Sequence, residues 1–455
     1  MSFDGITRRE TLGGIGAGGA SVLAGCFGGG SDDDDDALHI LTDLSSDEWQ
    51  EYWDNELIPG YEEEYGLPVD HEYTGLDEVG RQRLATLMQA QDPPGIFHAS
   101  LPEIGDLVNQ GQLAEVGDVL ADLEDEWGEP VFRYLLEPVD GQILSIPHGP
   151  YIGCLQYRED LYDELGLEVP ETWDDLLENA RAIDEMDNEV RGFGLPAGPA
   201  GKPDADFSCW LANAGGDRFE WGDDDEVELV YEEDDVLAVF DLLQELAQYS
   251  PDPTSLDYGT TIEYWASGRI GQCIMLNAWV CSAAYAAGAE EVALNTKQEV
   301  VPRRDGVDPD GRGFVVMTGA AVLEGATHTE GAKDFNRYMY GPERHIEVSL
   351  MEPMRFLPPY ESILEHEEYR SADIFQVDDG YFLERNEYLL EEIAPQVSDP
   401  ESPTTPETLG LLSFDIDSQM TNRLIAEEED PEDVYEWGMN ELEQRFDDVK
   451  ANSNY

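Results

Sequence analysis

From Ala37 onward the apolar residues recur with two different periods, and the two alternate. "ALHILTDL" (37–44) is a short apolar run of strand length, and "SDEWQEYWDNELIPGYEEEYG" (46–66) follows with helical spacing and Ser46 placed to cap it. "LPVDHEYT" returns to strand, "DEVGRQRLATLMQAQ" to helix, and "PPGIFHAS" to a short buried strand. Such alternation predicts an α/β architecture with a largely parallel sheet. "GQILSIPHGPYIGCLQYREDLYDELG" reads as two extended pieces broken at Pro147 and Pro150. "VPETWDDLLENARAIDEM" reads as a helix capped by Thr172. Farther on, "VLAVFDLLQELAQY" and "GAKDFNRYMYG" are amphipathic, and "EVVPRRDGVDPDGRGFVVMTGAAVLEG" suits strands around a glycine-rich turn. The acidic "EWGDDDEVELVYEEDD" predicts a hairpin and the Pro-rich "PQVSDPESPTTPET" a surface loop.

The first 36 residues follow neither period. "TRRETLGGIGAGGASVLAGC" sets a basic pair, Arg8 and Arg9, before a short apolar core that ends at Cys26. That is the grammar of an export signal, and the core is too short and too rich in glycine to span a bilayer. "TRRETL" resembles a twin-arginine signal and "LAGC" a lipoprotein processing box. Together they imply removal of residues 1–25 and a lipid on the thiol of Cys26. The alternative is a secretory peptide with an incidental cysteine. "GIGAGG" satisfies G-x-G-x-x-G, but no strand precedes it, so it is not read as a dinucleotide site. Residues 26–36, ending in five aspartates, then form a flexible, self-repelling tether.

Charge changes the picture most. The chain carries 102 acidic against 24 basic residues, a formal net charge of -78. Repulsion on that scale opposes a compact state unless salt screens it, and in molar salt the Debye length is ~3 Å. The composition therefore reads as adaptation to very high salt, with no basic stripe for nucleic acid. Carboxylates are so common that no pair of them is informative alone. Of the five cysteines, Cys154, Cys209, Cys273 and Cys281 belong to the body; nothing resembles a metal framework. Buried free thiols are expected there, with a Cys273–Cys281 bridge as the alternative.

No nucleophile elbow, Walker loop or metal-ligand histidine spacing occurs. What remains is aromatics beside small or polar residues: Tyr151, Trp210, Trp265 and Trp279. Aromatic faces pack on the C–H face of a pyranose while Asn, Asp, Glu and Arg serve its hydroxyls. Trp173 and Trp437 are assigned to packing.

At "IPGYEEEYGLPVDHEY", "NQGQLAEVGDVL", "DGQILSIPHG…LQYREDLYDELGLEVPETWDDLLENA", "WASGRIGQCIMLNAW", "EGAKDFNRYMYGPE" and "EPMRFLPPY", the chain resembles the family 1 extracellular solute-binding proteins, maltose-binding-protein-like carbohydrate receptors of ABC importers. Gly95 departs from the family's usual Asp, and Arg158 from its usual Asn. The resemblance implies a periplasmic-binding-protein-like fold of two α/β lobes joined by hinge crossings. Lobe 1 would hold 37–149 with about 300–337, and lobe 2 would hold 150–299 with about 338–455. It implies a monomeric, non-enzymatic protein with no cofactor or metal, on the outer face of the membrane. Such a protein traps a sugar in the interlobe cleft and presents it to permease subunits. Where the family contacts ligand, this chain has Asp43, Ser45, His98, Ser100, Glu103 and Tyr151, then Trp210, Asp217, Asn277, Trp279, Arg355 and Phe414. A polyol or glycerol phosphoester is the alternative ligand class, and a secreted glycosidase the enzyme-class rival.

Overall fold

The computed structural model describes residues 37–455 apart from 75–77, 140, 187–188, 200, 223–225 and 308–312. Arg8, Arg9, Cys26 and the tether lie outside the described residues. Three strands, β1 (Leu38–Thr42), β2 (Val69–Tyr73) and β3 (Ile96–Ser100), pair in parallel in the order β2-β1-β3. The segments between them are helical, Asp47–Tyr65 with a π-helical middle turn and then Glu78–Ala90. These are right-sized crossovers for parallel neighbours.

Parallel pairing stops there, which corrects the expectation of a largely parallel sheet. β4 (Ile146–Arg158) and β9 (Val315–Val322) run antiparallel to each other, and β9 runs antiparallel to β3. The physical reason lies in β4. Its first half, to Ile152, pairs with β9; from Gly153 it pairs instead with β7 (Gln272–Leu276), and from Leu155 also with β8 (Thr296–Glu299). One long strand thus leaves one set of partners and joins another, whereas a βαβ unit would return parallel. β4 is also continuous across Pro147 and Pro150, because a register irregularity between Pro147 and Gly149 absorbs the missing donor. The acidic segment forms the expected hairpin of β5 (Phe219–Trp221) and β6 (Val227–Leu229).

Three cores result. The largest runs from Trp49, Trp53 and Phe335 to Met275, Cys281 and the helices after residue 345. A second surrounds Trp210, Phe240 and Phe446. A third lies under Leu101, Leu107 and Val108. Helix Pro406–Leu412 ties the last two, since Leu409 belongs to the third core and Leu411 to the second. Cys154, Cys209, Cys273 and Cys281 are buried free thiols.

Candidate functional site

A cavity of about 330 Å³ opens where the ends of β1 and β3 face the middle of β4, the start of β9 and helix Lys202–Ala214. Small-molecule sites occupy roughly 300–1,000 Å³, so this one suits a small ligand. One wall carries Asp43 after β1, and His98, Ser100 and Glu103 at the end of β3. Ser100 donates from both its backbone N–H (2.7 Å) and its hydroxyl (2.6 Å) to the same Glu103 oxygen. Burial lowers the His98 imidazole to about 4, so it is neutral near pH 7.

The inner wall is aromatic. Tyr151 from β4 lies parallel to Trp279 at 6.3 Å and to Phe356 at 5.4 Å, while Tyr258 stacks on Trp279 at 5.7 Å. All four rings border the cavity. Arg355 stands behind them, its guanidinium 4.4 Å from the Trp279 ring and 4.5 Å from that of Phe356. It donates to the Tyr151 hydroxyl (3.0 Å), Glu352 (3.0 Å) and Asp43 (3.2 Å). Burial works against this cation, yet Tyr151, Glu352 and Asp43 together hold its pKa above the ordinary value. Burial also pushes Asp43 up to about 6; Arg355 opposes that shift, while Glu103 and Glu352 add to it.

Helix Lys202–Ala214 forms the opposite wall, where Asp204, Ser208, Leu211 and Ala212 recur at helical spacing on the cavity side. Asp217 and Arg218 follow it. Arg218 is bound between Asp204 and Asp417, and Tyr231 donates to the same Asp417 oxygen at 3.3 Å. The mouth is bordered by Ser402, Pro403 and Thr404, so the Pro-rich loop is also part of the wall.

Eight of the twelve residues anticipated from the sequence come together here or directly behind: Asp43, His98, Ser100, Glu103, Tyr151, Asp217, Trp279 and Arg355. Four do not. Trp210 is fully buried against Phe193, because it occupies the core face of the helix whose other face meets the cavity. Asn277 is buried at a left-handed φ of 49°. Its amide accepts from Ile152 N–H (2.9 Å) and donates to the carbonyls of Pro150 (2.8 Å) and Arg355 (2.7 Å). It is therefore a staple between β4 and the Arg355 turn. Ser45 is off the wall, its carbonyl accepting from Gln50. Phe414 packs beside the second core under the Arg445 guanidinium. Trp279, although on the wall, is only 8 % exposed, so it is less open than a solvated stacking face. Tyr258, Phe356, Asp204 and Arg218 are among the wall residues that were not anticipated from the sequence. Cations are so scarce that Arg218 next to Asp217 was a usable signal.

The fold itself is that of ligand-trapping α/β receptors. A solute-binding protein from Thermotoga lettingae TMO bound with α-D-tagatose superposes with a TM-score of 0.71 at 17% identity, covering 90% of this chain and 99% of that one. A sugar transporter protein from Arthrobacter chlorophenolicus A6 with bound laminaribiose matches at 0.71 and 16%, over 90% and 99%. An Agrobacterium vitis S4 solute-binding protein with bound D-mannitol matches at 0.69 and 18%, over 92% and 100%. No curated protein matches the sequence. Residues 43–345 match the family model of the bacterial extracellular solute-binding proteins, and the chain belongs to that family. Its members are transport receptors, not enzymes. Among the described residues no helix is long and apolar enough to cross a membrane.

Proposed function

We propose that this chain is the lipid-anchored, extracellular receptor of an ABC importer, and that it binds a sugar or sugar-like polyol in the cavity described above. The observation that carries the reading is the Tyr151–Trp279–Tyr258 stack on a wall shared with Asp43. It offers the mixture of aromatic area and hydroxyl-binding carboxylate that a pyranose needs. Relatives of the same fold bind tagatose, laminaribiose and mannitol, which supports the same ligand class here. A phosphoester fits less well, because Arg81 and Arg218 on the wall are already held by Asp415 and by Asp204 with Asp417. We place the moving boundary within β4, just before its change of partners, with 37–149 and about 300–337 in one lobe and the remainder of the body in the other. Closure of the two would bury the ligand for delivery to a permease.

A thermal-shift screen of sugars and polyols in molar KCl tests the reading, since a ligand of the folded state raises the melting temperature. At least one should stabilise the protein, and none should be cleaved. Silence across the panel would refute the ligand class, and cleavage products would move the protein to the glycosidases. Cys26→Ser should release the protein from membranes with its fold intact; unchanged partition would remove the anchor. Replacing Arg8 and Arg9 by Lys should block export if the twin-arginine route is used.

A further inference from the structure

Charge on the cavity wall is unbalanced in a way that the surface composition does not explain. Surface carboxylates are hydrated and screened by salt, but those in a closing cleft lose water, and each then requires a counter-charge. At the aromatic end, Asp43 and Glu352 share the guanidinium of Arg355, while Glu103, which accepts from Ser100, adds its negative charge to that of Asp43. Lys202, whose ammonium lies 5.5 Å from the Tyr258 ring, is taken up by Asp206 at 2.8 Å and the Ile274 carbonyl at 2.6 Å. At the other end Arg218 is shared by two carboxylates and Arg81 is held by Asp415. His98, on the wall and 5 % exposed, turns one ring nitrogen toward the Leu41 backbone and leaves the other without a partner among the described residues.

We infer that the cavity selects by charge: it takes a sugar carrying a protonated amine in preference to the neutral sugar, and excludes the corresponding sugar acid. The inference rests on the sugar-receptor reading above and sharpens it. An ammonium between Asp43 and Glu103 supplies the missing counter-charge, and Tyr151 and Trp279 provide aromatic faces that attract cations. Neutral His98 accepts one of its hydrogens. Asp43, whose carboxyl stands at about 6 even with Arg355 beside it, becomes fully ionised when the amine is bound. A uronate brings a further negative charge into the same group.

The test is calorimetry in molar KCl near pH 7 with matched series: glucose, glucosamine and glucuronate, and the galacto and manno counterparts, with choline as a cation that is not a sugar. In the series that binds, the amino sugar should bind at least about fivefold tighter than the neutral one, and the uronate should give no heat. Asp43→Asn should erase that preference, the amino sugar then binding no tighter than the neutral one; if it does not fold, Glu103→Gln serves the same purpose, and an undiminished preference in the folded variant overturns the inference. Equal or tighter binding of the neutral sugar, or any binding of the uronate, overturns the inference and leaves the receptor reading standing. Choline binding without any sugar sinks the receptor reading while charge selection survives, and silence from every probe overturns both.

Discussion

Trp279 and Trp210 both sit among small and polar residues, yet only Trp279 meets the cavity. Trp279→Ala should weaken binding of the best screened sugar by about 2–4 kcal/mol, the range of an interface hot spot. At 8 % exposure between Tyr151 and Tyr258, its loss should also lower the stability of the empty protein. Trp210→Ala should cost about 3–5 kcal/mol of stability and leave affinity unchanged in the folded fraction. Calorimetry paired with denaturant unfolding separates them; equal affinity of Trp279→Ala and the parent would displace the site. His345 offers a test of pH. It is buried among the rings of Trp127, Tyr340 and Tyr360, and burial lowers its pKa to about 3. The unfolded chain protonates it near 6.5 and the folded one does not, so stability falls as pH drops through that window. His345→Phe should therefore lose about 2 kcal/mol less than the parent between about pH 7 and pH 5. Parallel stability-versus-pH curves for the two proteins would contradict this.

Among the elements, helix Pro406–Leu412 has an influence out of proportion to its length. Thr405 caps it with a capping box, Thr408, Leu409 and Leu412 border the cavity, and it leans on the short helix Gly105–Asn109. The approach is possible because residue 105 lacks a side chain: a Cβ there would lie 1.8 Å from the Leu409 carbonyl oxygen. Backbone cannot yield as a flexible side chain does. Gly105→Ala should cost about 1–3 kcal/mol or more and weaken ligand binding, because the displaced helix carries part of the wall. A variant with parental melting temperature and affinity would show that the contact is dispensable. The exposed Trp221 of the β5–β6 hairpin donates to the Glu401 carbonyl (3.1 Å) and so ties the hairpin to the loop before this helix.

For the whole molecule, the acid excess sets the conditions under which any of this forms. We expect cooperative folding in molar salt and loss of structure on dilution, as repulsion among carboxylates is no longer screened. Acidification relieves the same repulsion and ionises fewer buried acids, since burial raises both Asp43 and Asp206 to about 6. Those two groups give stability back as pH falls from about 6 toward 4. The buried histidines His98, His148 and His345 lose stability over the same range, so acid should replace salt only in part. Circular dichroism across salt and pH reads both effects; native structure in dilute neutral buffer would refute the salt dependence.

Local rules were enough for much of this. Period and capping placed the early strands and helices, down to Ser46 accepting from Trp49 N–H and Thr172 closing its capping box. They also placed the strands that carry or precede Asp43, His98 and Tyr151, because a site built on strands inherits their register. Trp210 was misassigned to the site, although the helical period already sets it on the face opposite Asp204, Ser208 and Leu211. The direction of β4 and β9 was not legible, because pairing is a choice among distant partners and a strand's own residues permit either sense. Nor was the role of Asn277, whose three bonds come from Ile152, Pro150 and Arg355. Whether a polar side chain binds ligand or backbone depends on which unsatisfied groups tertiary packing leaves within reach, and Asn277 has none to spare.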